Sequence, residues 1–246
     1  MMAGEVDVWS KLRALTPARV ALDRSGDAPS LRSVLDFQLA HAHARDAIHT
    51  AFDAAAIAEA LKPRETLSVE SRAGDRATYL KRPDLGRRLS EASAPRIPRL
   101  DCDVAFVVAD GLSATGVESH AAAVLDAVMP LIPSLTVGPV VIASQARVAI
   151  ADEIGERMGA RISAILIGER PGLSVSDSLG IYVTYGPRIG RSDAERNCIS
   201  NIHGHGLTPR RAAETLAWLL HQALDRGLSG VRLKDESGGG PRLVGG

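Results

Sequence analysis

Two acidic residues stand just after apolar runs, and they are the first candidates for chemistry. Asp110 follows VAFVVA (104–109), and Glu169 comes after ISAILI (162–167) in the string GERPG. In open α/β sheets, ligands bind outside the carboxyl ends of the strands, so side chains that follow buried strands lie where a ligand binds. Both carboxylates are therefore candidates for holding a polar ligand in a crevice.

The triplet RPG, which follows Glu169, predicts a tight turn that would fix the position of this residue. Proline suits the second position of a type II turn and glycine supplies the positive φ of the third, so Pro171 and Gly172 predict such a turn. A turn of this kind would hold Glu169 at the crevice. Spacing alone leaves a second interpretation open, in which Glu169 is a helix cap or one half of a surface ion pair.

Other residue types with catalytic or metal-binding potential lack the partners that such sites need. His203 and His205 lie two apart in the glycine-rich loop NIHGHGLTP, but no third ligand stands at a recognisable spacing. Ser113 in DGLSA is outside any GxSxG elbow, and we interpret it as a hydroxyl at the entry to a helix. The phosphate-cradling strings GxGxxG, GxxxxGKS and GxxxxGKT do not occur. We therefore expect no catalytic residue and no metal site on this chain.

Composition narrows the classes of partner. The chain has 246 residues, 29 basic and 29 acidic, so no overall field draws it to nucleic acid or an anionic membrane. Its two cysteines, Cys102 and Cys198, build no disulfide framework, and no apolar stretch approaches the roughly 20 residues that span a membrane. We therefore expect a cytoplasmic protein. All but four of the 29 basic residues are arginine, which reflects either codon usage or planar side chains that contact interfaces and polar ligands.

From residue 101 onward, apolar runs alternate with helical patterns. Such runs are typical of parallel strands that are buried on both faces, and the alternation predicts a parallel sheet covered by helices on both sides. We therefore predict an α/β fold. The strand candidates are VAFVVA (104–109), VVIA (140–143), ISAILI (162–167) and LGIYVTY (179–185), and the helix candidates are 115–129, 149–159 and 208–226.

The chain divides into three predicted parts. Residues 1–64 form an N-terminal helical region in which Ser30 is a helix cap, and residues 65–233 form the α/β domain. This domain opens with the alternating strand candidate TLSVESRA and a helix that begins at Pro83. Residues 234–246 are a glycine-rich tail that we expect to be disordered.

Four strings, in their order and spacing, resemble the small subunit of ethanolamine ammonia-lyase over residues 65–225. Each string alone is a weak signal, whereas the ordered set is specific. They are RATYLKRPDLGRRLS (76–90), VVADGLSA (107–114), the stretch from RVAIADEIGERMGA to IGERPGLSVSDSLGIYVTYGPR (147–188), and NCISNIHGHGLTP (197–209).

The resemblance carries expectations about fold, activity and partners. Members of this family convert ethanolamine to acetaldehyde and ammonia by adenosylcobalamin-dependent radical chemistry. In them, a large subunit with a TIM barrel holds the substrate, and the small subunit covers the cobalamin with a Rossmann-like domain. The resemblance thus implies a doubly wound, mostly parallel sheet in this chain and a hetero-oligomer with the large subunit and other small subunits.

The family's cobalamin contacts fall on three matching positions. By resemblance, Val148 in RVAI would pack on the cofactor, Glu169 in GERPG would accept hydrogen bonds from it, and Cys198 in NCISNIH would lie against it as a small apolar surface. The cobalamin-binding string DxHxxG, which brings a protein histidine to cobalt, is absent. The resemblance therefore implies a base-on cofactor that keeps its own dimethylbenzimidazole on the metal.

Two matters stay open at the level of sequence. The region before residue 65 and the glycine tail match no family pattern, so the presence of a signal for a bacterial microcompartment is undecided. The alternative function is a stand-alone α/β protein that binds a small ligand or regulates without catalysis. A neighbouring gene for a larger TIM-barrel chain would favour the lyase subunit.

Overall fold

The computed structural model describes residues 8–16, 18–22 and 24–235. Within them, the helices are α1 (Val8–Leu15), α2 (Leu31–His49), α3 (Ala54–Ala60), α4 (Arg76–Lys81), α5 (Ala114–Val128), α6 (Ile150–Met158) and α7 (Pro209–Arg226). The strands are β1 (Arg24–Ser25), β2 (Ala28–Pro29), β3 (Thr66–Glu70), β4 (Val104–Ala109), β5 (Val140–Ser144), β6 (Ile162–Gly168), β7 (Leu179–Tyr185) and β8 (Arg196–Ile202). From β4 to β6, strands and helices alternate as the sequence predicts.

Six of these strands form one sheet in the order β3-β5-β4-β6-β7-β8. β3, β5, β4 and β6 are parallel, whereas β7 and β8 extend the β6 edge as antiparallel strands. The predicted α/β fold with a mostly parallel sheet is confirmed. The short hairpin of β1 and β2, which the sequence analysis did not predict, forms a separate sheet.

The central strand β4 shows why the predicted strands are apolar throughout, since all six of its residues are buried. Phe106 and Val108 belong to the core cluster that contains residues of α5 and α7. Val107 and Ala109 point to the opposite face and belong to the cluster that contains residues of α6. Helices therefore cover both faces of the sheet, and every position of such a strand must be apolar.

Two hydroxyl caps predicted from sequence are confirmed. The Ser30 hydroxyl accepts a hydrogen bond from the N–H of Ser33 (3.3 Å) at the start of α2. The Ser113 hydroxyl accepts one from the N–H of Gly116 (3.2 Å) at the start of α5. The same hydroxyl donates to the carbonyl oxygen of Ser176 (2.8 Å), so it also ties the start of α5 to the chain after β6.

The prediction of a helix that begins at Pro83 is wrong. Helix α4 instead ends at Lys81, before the proline, and only a three-residue 3-10 turn (Leu85–Arg87) follows it. Helix α4 begins at Arg76, because the Asp75 carboxylate caps it by accepting a hydrogen bond from the N–H of Thr78 (2.9 Å). Proline restricts the residue before it to extended conformations, so a helix ends there more readily than it passes through.

Strand β8 was not predicted either, because its burial does not alternate. Arg196, Ile199 and Ile202 are its buried residues, which is a spacing of three where an ordinary half-buried strand shows a spacing of two. It lies at the sheet edge beside β7, and their register shifts between Leu179 and Ile181. An edge strand with a register shift carries no clear period in its sequence.

The N-terminal helices α2 and α3 contact the α/β domain through α4 and through the core. Arg76 Nε donates a hydrogen bond to the carbonyl oxygen of Ile48 (2.7 Å), which joins the end of α2 to the start of α4. Ile57 of α3 is buried in the core cluster shared with α5.

The predicted glycine tail at 234–246 lies outside the described residues from residue 236 onward. Every helix among the described residues is too short or too polar to cross a bilayer.

Candidate functional site

A cleft of about 350 Å³ opens at the carboxyl ends of β4 and β6. We call it the strand-end cleft. Leu112, Val148 and Ile167 give it apolar walls, and Arg147, Glu169 and Tyr182 add polar groups. It lies where parallel sheets bind their ligands, since the helices that follow β4 and β5 pack on opposite faces of the sheet.

Close backbone contact forms the base of the strand-end cleft. Gly111 has a φ of +55°, and a Cβ at this position would collide with the backbone of Gly168. A Cβ on Gly168 would in turn collide with the carbonyl oxygens of Asp110 and Ser113. The turn after β4 therefore lies directly on the end of β6, and glycine is required at both contact points.

Glu169 is held in place by the neighbouring strands. Its N–H donates to the carbonyl oxygen of Ser178 (2.9 Å), and the Ser178 hydroxyl donates to its Oε2 (2.5 Å). The N–H of Asn201, near the end of β8, also donates to Oε2 (3.3 Å). Within the described part of the chain, Oε1 accepts no hydrogen bond, and it lies 2.8 Å from where a Cβ on Gly180 would be. Glu169 is thus neither a helix cap nor half of an ion pair with a described residue.

The predicted type II turn after Glu169 is wrong. Gly172 does not adopt the positive φ that the third position of such a turn requires. Its N–H instead donates to the carbonyl oxygen of Val175 (2.7 Å), which closes a short loop two residues further along the chain than the predicted turn. The rigidity that we attributed to the turn comes from Ser178 and Asn201, because these residues hold the carboxylate directly.

Val148 lines the strand-end cleft from the loop between β5 and α6. This loop is held by Asp110, whose carboxylate accepts hydrogen bonds from the N–H groups of Gln145 (3.0 Å) and Ala146 (2.9 Å). Burial raises the pKa of Asp110 to about 6, although these hydrogen bonds and the charge of Arg76 act in the opposite direction. Asp110 is therefore a positioning residue for the loop that carries Val148, and not a residue that lines the cleft.

Cys198 lies on β8, directly opposite Tyr182 on β7. Partial burial raises the pKa of both the Tyr182 hydroxyl and the Cys198 thiol. Tyr182 lines the strand-end cleft, whereas Cys198 is exposed beside it. The fold thus brings Val148 and Glu169 to one cleft and places Cys198 one strand away.

Arg76, Tyr79 and Arg147 have structural roles at this site that the sequence analysis missed. Arg76 Nη1 donates to the Asp110 carboxylate (3.3 Å) and to the carbonyl oxygen of Gly111 (2.8 Å). The guanidinium carbons of Arg76 and Arg147 lie 4.8 and 4.2 Å from the centroid of the Tyr79 ring. The excess of arginine over lysine was the signal for these contacts, because a planar guanidinium stacks on an aromatic ring.

His203 and His205 contact each other, with the N–H of His205 donating to Nδ1 of His203 (3.3 Å). Among the described residues, no group of three or more His, Cys, Asp or Glu side chains is arranged to hold a metal ion.

An α/β domain with a partly apolar, polar-rimmed cleft at its strand ends is typical of proteins that bind a small molecule or cofactor. The chain belongs to the ethanolamine ammonia-lyase small-subunit family, because residues 6–234 match the family described as Ethanolamine ammonia-lyase light chain (EutC). The resemblance found in sequence is confirmed. The match also extends into the N-terminal region, where the sequence analysis found no family pattern.

Individual relatives carry the same description. The ethanolamine ammonia-lyase small subunit of Xanthomonas campestris pv. campestris is 52% identical over 241 residues, which cover 94% of this chain and 89% of that protein. That of Pseudomonas aeruginosa is 52% identical over 239 residues, covering 93% of this chain and 88% of the relative. That of Azotobacter vinelandii is 50% identical over 239 residues, with the same coverage. The family is thus one of lyase subunits, and the term small subunit implies a large partner.

Proposed function

We propose that this chain is the small subunit of an adenosylcobalamin-dependent ethanolamine ammonia-lyase and binds the cobalamin at its interface with the large subunit. The complex would convert ethanolamine to acetaldehyde and ammonia. The observation that carries the proposal is the placement of Val148 and Glu169, two of three positions matched to the family's cobalamin contacts, on one strand-end cleft. Cys198, the third, is the cross-strand neighbour of Tyr182 in that cleft.

The groups in the cleft fit the chemistry of a cobalamin. This cofactor is a flat macrocycle with apolar faces and a rim of neutral carboxamides. Leu112, Val148 and Ile167 offer apolar contact, and Oε1 of Glu169 is an acceptor with no hydrogen-bond donor among the described residues. Amide N–H groups from the macrocycle rim would satisfy this acceptor. A cleft of about 350 Å³ is too small for the whole cofactor, which supports a site shared with a second subunit.

When bound, the cofactor supplies the radical chemistry through homolysis of its cobalt-carbon bond. The part of this chain is to bind and orient the cofactor and to exclude water from it. Val148 would present an apolar surface to the cofactor, Glu169 would orient it by accepting a hydrogen bond, and Tyr182 with Cys198 would cover the adjoining edge. We propose no catalytic residue and no cobalt ligand on this chain, and the substrate would contact the large subunit.

The assembly that follows from this role is a hetero-oligomer with several copies of each subunit. We place it in the cytoplasm or in a bacterial microcompartment, with a TIM-barrel large subunit as the partner. A large subunit that covers the rest of the cofactor also explains why the cleft opens at the surface of this chain.

Reconstitution tests the proposed function. The purified chain, the large subunit encoded with it, and their mixture would each be assayed for acetaldehyde release from ethanolamine with adenosylcobalamin. We expect activity in the mixture alone, and light scattering should show more than one copy of each subunit. Turnover by this chain alone would contradict the proposal. A chain that binds a small ligand and forms no complex would instead support the alternative of a stand-alone binding or regulatory protein.

A further inference from the structure

A second cleft, of about 450 Å³, adjoins the strand-end cleft and shares Leu112, Arg147 and Arg170 with it. Three arginines line it from three different parts of the fold. Arg45 comes from α2, Arg147 from the loop after β5, and Arg170 from the chain after β6. We call it the arginine cleft. None of the described residues that line it is an aspartate or a glutamate.

The charge of these arginines is not balanced by neighbouring carboxylates. None of the three forms an ion pair with any residue that the structure describes. Arginines elsewhere in the chain do, as in the buried pair of Arg196 with Asp152 (2.7 Å). The chain as a whole has equal numbers of basic and acidic residues, so the positive charge of this cleft is a local feature.

The Arg147 side chain is fixed by stacking on Tyr79, and one of its donors has no hydrogen-bond partner among the described residues. Its guanidinium carbon lies 4.2 Å from the centroid of the Tyr79 ring, and Tyr79 is itself fixed by a hydrogen bond from its hydroxyl to the carbonyl oxygen of Ala146 (3.1 Å). The Nε of Arg147 is buried and has no hydrogen-bond partner among the described residues. A buried donor without a partner is unfavourable, so an acceptor from a ligand would stabilise the site.

We propose that the arginine cleft binds a phosphate group. Phosphate oxygens accept hydrogen bonds from several guanidinium groups at once, whereas the two oxygens of a carboxylate are satisfied by one or two. The apolar side chains of Ile48, Leu80 and Leu173 also line the cleft and strengthen the attraction between opposite charges, because they lower the local dielectric constant. Three arginines that line one cleft therefore offer more hydrogen-bond donors than a carboxylate can use, and a phosphate can accept from all of them.

Two sources can supply this group. One is inorganic phosphate, whose binding is independent of the lyase activity. The other is the phosphodiester in the nucleotide tail of cobalamin, and this source rests on the proposed function. Because the two clefts adjoin at Leu112, Arg147 and Arg170, one cofactor would reach both, with its macrocycle in the strand-end cleft and its tail in the arginine cleft.

The first experiment measures binding of inorganic phosphate and of dimethyl phosphate to the full chain by calorimetry. We compare wild type with Arg147→Gln, Arg170→Gln and a control, Arg226→Gln. Arg226 ends α7 beside Gly227, which lies near Tyr185, and Tyr185 pairs with Ile162 at the start of β6, away from the carboxyl ends of the strands. We expect Arg147→Gln to weaken binding about tenfold or more, since a hydrogen bond to a charged group is lost. Arg170→Gln should weaken it severalfold, whereas the control should bind as wild type does.

The second experiment uses the complex with the large subunit and two corrinoids that carry the same upper ligand. One corrinoid is complete, and the other lacks the phosphate and the rest of the nucleotide tail. If the cofactor is the source, binding of the complete corrinoid should weaken about tenfold in Arg147→Gln and severalfold in Arg170→Gln, and binding of the truncated corrinoid should be unchanged in both. Because Arg170 is exposed, its variant should fold normally and remain informative even if Arg147→Gln does not fold.

The outcomes separate the two proposals. Phosphate binding that depends on Arg147 or Arg170 supports the arginine cleft even if the complex binds no corrinoid, in which case only the proposed function fails. A loss confined to the complete corrinoid supports both. If neither arginine variant alters phosphate affinity or the ratio between the two corrinoids, the inference is overturned.

Discussion

The Ser178 hydroxyl donates a hydrogen bond of 2.5 Å to Oε2 of Glu169, and this contact joins the end of β6 to the start of β7. The N–H of Asn201 donates to the same oxygen, which adds β8 to the connection. One carboxylate oxygen is therefore used within the fold, and Oε1 is left for a ligand. This division of roles makes Glu169 the most direct test of the strand-end cleft.

Replacing Glu169 should weaken cofactor binding and leave substrate binding unchanged. In Glu169→Ala, a cofactor donor loses its acceptor, which costs about 1 to 3 kcal/mol, or roughly 5- to 150-fold in apparent Kd. Glu169→Gln keeps an acceptor oxygen and should give an intermediate value. The apparent Kd for adenosylcobalamin and the KM for ethanolamine would be measured on the reconstituted enzyme. Glu91→Ala, at an exposed position, is the matched control, and equal cofactor affinity in Glu169→Ala and the control would remove Glu169 from the site.

Gly180→Ala should act on the cofactor through Glu169. The added Cβ would lie 2.8 Å from Oε1, so the carboxylate must move while the fold is retained. We expect the apparent Kd for adenosylcobalamin to rise severalfold. Adding Gly180→Ala to Glu169→Ala should cause little further loss of cofactor affinity, because the effects of residues in contact are not additive. Gly204→Ala is the control, since a Cβ there meets nothing within 4 Å. Fully additive effects in the double variant would refute the coupling.

A charge at position 148 should disrupt the apolar wall of the strand-end cleft. In Val148→Glu, a carboxylate would be covered by the flat face of the cofactor without a partner, and we expect the apparent Kd for adenosylcobalamin to rise at least about tenfold. Val231→Glu places the same change at an exposed valine and should bind normally. Spectroscopic titration of the reconstituted complex measures both. Wild-type affinity in Val148→Glu would show that the cofactor does not contact this wall.

Asp110 should make the stability of the fold depend on pH. Burial raises its pKa from 3.8 to about 6, so the native state binds a proton more tightly than the unfolded state does. Stability from this group is present below about pH 4 and is lost as pH rises to about 6, by on the order of 3 kcal/mol. Urea unfolding of wild type and Asp110→Asn isolates this contribution, because their difference in free energy of unfolding should fall over that range. Asp225→Asn, at an exposed position, is the control, and a difference that rises with pH would contradict the assignment.

The axial ligand of the cofactor provides an independent test. Because the chain lacks DxHxxG, we expect the bound cofactor to keep its own base on cobalt. Cofactor labelled with nitrogen-15 in its benzimidazole should show coupling to the cobalt(II) electron spin in the reduced, bound state. Coupling to a histidine nitrogen instead would make His203 and His205 candidates for metal binding again.

The sequence by itself determined most of the secondary structure. β4 and β7 begin and end at the residues predicted, and α5, α6 and α7 lie within one residue of their predicted bounds. These elements were predictable because a strand buried on both faces and an amphipathic helix each impose a local pattern of apolar residues. The turn after Glu169 and the helix at Pro83 failed, because the preference of proline for a position does not show which polar group satisfies the neighbouring backbone.

Only the tertiary structure decided which residues meet at the clefts. Asp110 contacts Ala146, Glu169 contacts Asn201, and Tyr182 faces Cys198, although at least 16 positions separate the members of each pair. These meetings depend on the strand order and on β7 and β8 running antiparallel to their neighbours. No local pattern specifies that order, since it results from the packing of whole strands and helices around one core.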